Sequence, residues 1–115
     1  MRGLGLSFID AGQVSDGVAM VGLAYRSDSA LPTNAIAADV FGTANDLRSN
    51  LSKVSRYANR DNSASSWLTL AALMQAEGRN KQALTMLERA KAAGLAEDIA
   101  KEMAAALATG PRASR

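Results

Sequence analysis

Between Ser65 and Gly94 the chain reads SSWLTLAALMQAEGRNKQALTMLERAKAAG, two apolar runs at helical spacing interrupted once by EGRN. In the first run Trp67, Leu70, Leu73 and Met74 recur at intervals of three and four, the stripe of an amphipathic helix, with Ser63 or Ser65 available as its N-cap. Ala83, Leu84, Leu87 and Ala90, with Met86, make the second stripe. Gly78 and Gly94 stand where left-handed C-terminal residues are wanted. The segment predicts a helix hairpin over 64–93, in which the small side chains of Ala71 and Ala83 let two backbones approach.

One hairpin cannot bury its own apolar sides, so a recurrence is the natural test. A displacement of 66 residues (78 − 12) lays LGLSFIDAGQVSDGVAMVGLAY on the same pattern. Leu4 and Gly5 fall on Leu70 and Ala71, Phe8 on Met74, Gly12 on Gly78, and Gly17, Val21 and Ala24 on Ala83, Leu87 and Ala90. Both copies resemble the tetratricopeptide repeat, whose consensus runs W-x2-L-G-x2-Y, a turn glycine, then A-x3-F-x2-A. Trp67, Leu70, Gly78, Ala83, Leu87 and Ala90 fit it; Ala71 replaces its glycine, Met74 its tyrosine, Leu95 its proline, and Met1 occupies the tryptophan's place in the first copy.

The displacement is about two repeat lengths, so a degenerate copy is expected over 33–59. Pro32 and Thr33 would start a short helix with Ile36, Val40 and Phe41, ending at Gly42. Thr43 would cap a longer one striped by Leu47, Leu51, Val54 and Ala58, with Asp46 at its positive end. Beyond Gly94, Leu95, Ile99, Met103 and Leu107 describe a capping helix over 95–108, with Glu97 and Lys101 paired on its outer side. The expected fold is all-α: an antiparallel helix-hairpin repeat array, a fragment of a tetratricopeptide-like α-solenoid, with hairpins at 1–25, 33–59 and 64–93 in one domain of residues 1–108, and a disordered tail over 109–115.

Composition agrees with that class. Hydrophobic residues make up 48% of 115 residues and aromatics only 4%, so the core is built from small and aliphatic side chains, as closely packed helices allow. The net charge of +2 is spread along the chain without the basic block of a nucleic-acid arm. Histidine and cysteine are both absent, which removes the commonest proton shuttle, thiolate chemistry and the usual metal ligands. No cofactor, metal or catalytic constellation is expected. The GLG at Gly3 lacks a strand and a third glycine, DNSASS from Asp61 lacks the glycine and glutamate of a calcium loop, and Ser49, Ser52 and Lys53 miss the S-x-x-K spacing. Asn50-Leu51-Ser52 is a formal glycosylation sequon, inside an expected helix. No stretch reads as an export signal or a membrane span, so the expected setting is cytoplasmic.

The resemblance implies a function in protein binding. First helices of such hairpins line a concave groove that receives a peptide or a helix, and here that groove would present Leu6, Ile9, Asp10, Asp39, Leu68, Ala72 and Gln75. It lacks the lysines and asparagines with which chaperone-binding relatives clamp a terminal carboxylate. Arg48, Lys53, Arg56 and Arg60 form a basic side of the longer helix of the middle copy, read as a solvated outer face or as a weak contact for RNA or an acidic partner. An alternative is structural. With Met1 in the tryptophan's place, the side of the first hairpin above Leu4, Phe8, Val18 and Val21 lacks a cover, so the chain would extend upstream as the end piece of a longer array or self-associate through residues 1–25.

Overall fold

The computed structural model describes residues 1–109 and contains α1 (Arg2–Asp10), α2 (Val14–Ser27), a 3-10 turn (Leu31–Thr33), α3 (Ala44–Asp61), α4 (Ala64–Ala76), α5 (Asn80–Ala92) and α6 (Glu97–Thr109). The described residues form no strand, and the fold is all-α. Residues 110–115, most of the expected tail, lie outside the described residues; Thr109 ends α6.

Local chemistry sets the helix ends. The Thr43 hydroxyl accepts the Asp46 N–H at 3.0 Å, and Ser63 and Ser66 cap α4 reciprocally, each side chain accepting the other's backbone N–H. Asn62, between them, closes α3 in the left-handed conformation at φ 54°.

The hairpins α1–α2 and α4–α5 share one turn. Gly12 and Gly78 take φ of 93° and 85°, which a side chain rarely tolerates, and each N–H reaches back 3.0 Å, to the carbonyls of Ile9 and Gln75. The next residues, Gln13 and Arg79, bond to Phe8 and Met74 at 2.8 and 2.9 Å. Gly5, Gly17, Val21 and Ala24 are buried, as are Ala71, Ala83, Leu87 and Ala90 at the displaced positions. The first pair of helices crosses more tightly: a Cβ on Gly17 would stand 2.5 Å from the Gly5 carbonyl oxygen.

α4 is the centre of the molecule. It packs against α2, α3 and α5, and every residue from Ser66 to Leu73 is buried. Its polar members are paired internally, the Thr69 hydroxyl donating to the Ser65 carbonyl and the Ser66 hydroxyl to that of Ser63, both at 2.8 Å. α6 covers α5, and the Asn80 amide donates to the Leu107 carbonyl at 3.2 Å.

The middle hairpin departs from expectation, since its first helix does not form. Leu31 and Pro32 open a single 3-10 turn, Asn34 turns the chain extended, and residues 34–43 continue irregularly with isolated turn bonds from Val40 to Ala37 and from Gly42 to Asp39. Two forces defeat helix here. The segment offers one deeply buried apolar residue, Ile36, too little to anchor a stripe, and Arg2 Nη1 holds the Asn34 carbonyl at 2.6 Å. The 3-10 turn then packs against α6, so the exit of the first hairpin meets the last helix. The expected Glu97–Lys101 ion pair is also absent among the described residues; both side chains are exposed along a shallow depression between α5 and α6.

Candidate interaction surface

The residues expected to line a concave groove do not form one. Leu6, Ile9, Leu68 and Ala72 are at most 2% exposed, all within the core. The reason lies in α4: Trp67, Leu68, Leu70, Ala71, Ala72 and Leu73 place apolar groups all round the helix, the pattern of a helix wrapped on every side rather than one with a free face. Gln75 is half-buried, and Asp39 is exposed in the irregular segment. Asp10 is exposed at the end of α1, where its carboxylate accepts the amide of the buried Asn50 at 2.9 Å and its carbonyl accepts Lys53 Nζ at 3.2 Å. These bonds tie α1 to α3.

The basic side of α3 is likewise divided. Arg48 Nε donates to Glu77 at 3.2 Å, beside a second bridge from Arg79, while Lys53 is turned toward α1. Arg56 and Arg60 are exposed and have no ion pair among the described residues. Two guanidinium groups one helical turn apart make a small cationic spot rather than a track for a phosphate backbone.

A different surface is both apolar and open. Seen down the helix axes, Leu6, Ile9, Val18 and Tyr25 project to the core side of the α1–α2 pair, and Met1, Leu4, Phe8 and Met20 to the other, with Leu23 on its shoulder. Met1 is 61% exposed, Leu4 54% and Leu23 44%. Phe8 and Met20 are half-buried without joining the core. The tight Gly5–Gly17 crossing makes the groove between the two helices shallow, and Ala24 forms part of its floor. At one end it runs into a depression of about 280 Å3 bordered by Met1, Ser27, Asp28 and Leu31.

The rim of that depression is fixed electrostatically. Arg2 donates to the Tyr25 hydroxyl at 3.1 Å and to the Asn34 carbonyl, and its guanidinium lies 5.7 Å from the Tyr25 ring centre. Burial raises the Tyr25 hydroxyl above its ordinary range, opposed in part by the charge and hydrogen bond of Arg2.

The second hairpin shows what the equivalent side looks like when covered. Leu70, the counterpart of Leu4, is buried, and Arg89, in the place of Leu23, stacks 4.9 Å from the ring of Trp67, which stands in the place of Met1. The cover is α3. Its Arg48 reaches Glu77, seven residues and two turns beyond Leu70 on the same side of α4, and its last residue precedes α4 by only Asn62 and Ser63. α3 therefore runs antiparallel along the Leu70 side.

Of the four residues that the sequence sets beneath an uncovered flank in residues 1–25, Leu4 and Phe8 lie on the open face, but Val18 and Val21 are buried in the core, and Met20 and Leu23 take their place. Their signal was the second apolar row of α2, where Met20 and Leu23 lie off the Val18, Val21 and Tyr25 stripe. Comparison of the chain with family models, with curated proteins and with solved structures gave no match.

Proposed function

We propose that this chain is a non-enzymatic protein–protein interaction module, akin to the tetratricopeptide-like helical repeats that it resembles, and that it recognises a partner protein through the outer face of its first hairpin. The observation that carries this reading is the contrast at one repeat position: Leu70 is 1% exposed and Leu4 is 54% exposed. Contiguous exposed apolar side chains on a folded chain are a mark of recognition surfaces. The kinship with helical repeats is supported by the shared turn at Gly12 and Gly78 and by the matched buried positions on either side of it. Of the polar residues that the sequence singles out, Asp10, Asn50 and Lys53 join α1 to α3.

The test is affinity capture from a lysate of the source cells with three immobilised forms: the parent chain, Leu4→Ser/Leu23→Ser, and Arg56→Ser/Arg60→Ser as a control on exposed residues elsewhere. All three should melt alike. The proposed surface requires that proteins held by the parent be lost from the first variant and retained by the second. A bound set indifferent to Leu4 and Leu23 would refute it.

A further inference from the structure

We infer that the outer face of α1–α2 seats one amphipathic α-helix of a partner protein, with an aliphatic stripe and running antiparallel to α1. The inference rests on the function proposed above and adds the occupant.

The molecule contains its own precedent. On the side of α4 that corresponds to the open side of α1, it lays a single helix, α3, antiparallel and with Leu47, Leu51, Val54 and Ala58 buried. The first hairpin presents the same turn and a leucine at the matching position, without such a helix among the described residues. Charges stand only at its ends, Asp16 exposed at one and Asp28 and Arg2 around the depression at the other, so the middle of the face offers aliphatic contact.

Size separates one helix from a second copy of the chain. At 1.5 Å per residue α1 and α2 are about 14 and 21 Å long, which suits a helix of about three turns lying along them. The exposed parts of Met1, Leu4, Phe8, Met20 and Leu23 amount to roughly 350–450 Å2, about half of the ~800 Å2 of total surface that a stable symmetric pair needs from each copy. By itself the patch falls short of a dimer interface.

The probe is a capped, fluorescent peptide of about 15 residues built from Leu, Ala, Lys and Glu, with Leu at three–four spacing, beside a scrambled peptide of identical composition. Anisotropy titrations should show saturable binding of the striped peptide by the parent chain, at least about tenfold weaker binding by Leu4→Ser/Leu23→Ser, and none of the scrambled peptide. Met20→Ser, a milder change on the same face, should weaken it in the same direction and serves if the double variant melts early. Light scattering of the parent alone should give a monomer up to about 100 μM. Self-association that requires Leu4 and Leu23, without peptide binding, would overturn the helix and leave the surface standing. Striped-peptide binding unaffected by all three substitutions, or no binding and no association, would overturn both.

Discussion

The two hairpins of this chain share one turn and one pattern of buried positions, and live in different surroundings. Leu4 and Leu70 hold matching positions, as do Met1 and Trp67, Phe8 and Met74, Met20 and Met86, Leu23 and Arg89. Around α4 every side is occupied; around α1 the side above Leu4 and Phe8 meets solvent. A turn and a stripe specify a hairpin, but what each apolar residue contributes depends on whether a neighbour arrives to cover it. Burial of a leucine side chain is worth about 1.5–3 kcal/mol, and only one of the two hairpins gains it at this position.

The largest consequence is in stability. Leu70→Ala should cost about 2–5 kcal/mol, because the side chain is enclosed and its removal leaves a cavity. Leu4→Ala, the same change at the matched position, should fall within about 0.5 kcal/mol. Denaturant titration of both variants measures the contrast, and similar losses would mean that the two hairpins are not environmentally distinct.

A second difference concerns the helix crossings. Gly17→Ala should cost about 1–3 kcal/mol, since its Cβ would sit 2.5 Å from backbone and the helices must part to admit it. At the matched position the chain already carries Ala83, wholly buried against α4. A neutral Gly17→Ala in thermal melts would show that the first crossing is no tighter than the second.

A smaller effect separates Arg89 from Leu23. Arg89→Ala should lose about 0.5–1 kcal/mol with its stacking on Trp67. Leu23→Arg should leave melting unchanged while weakening capture of a partner, and a stability loss from that substitution would place Leu23 in a packed environment.

Smallest is the pH response of the first hairpin. Tyr25 has its folded value raised by burial, so the neutral hydroxyl is favoured in the fold; its contribution is complete below the ordinary value near 10 and is lost as pH rises through the higher folded one. Stability of the parent should decline in that alkaline range more steeply than that of Tyr25→Phe, and parallel curves from pH 9 to 11 would contradict it.

Much of the architecture was legible because turns carry their own chemistry. Gly12, Gly42, Gly78 and Gly94 all take positive φ where the sequence placed a break, and Thr43 and Ser63 cap the helices that follow. Pro32 misled, being compatible both with a first helical turn and with the single 3-10 turn that forms; the choice fell to long-range contacts, the hold of Arg2 on Asn34 and the packing of this segment on α6. The groove was misplaced for a related reason. Periodicity identifies the most apolar stripe of α4, but Leu68 and Ala72 lie outside that stripe and are buried all the same, because α2, α3 and α5 surround the helix. The open face of α1–α2 was only half visible, since nothing local to Met20 or Leu23 announces that no described element packs over them.

The central claim is that the first hairpin, not the second and not the basic side of α3, receives the partner. Amide chemical-shift mapping on the isotope-labelled chain during titration with the striped helical peptide tests it most directly. The account predicts shifts concentrated at Leu4, Phe8, Met20 and Leu23, with the α4 amides from Ser66 to Leu73 nearly still. Shifts confined to the depression between α5 and α6, or to Arg56 and Arg60, would contradict it.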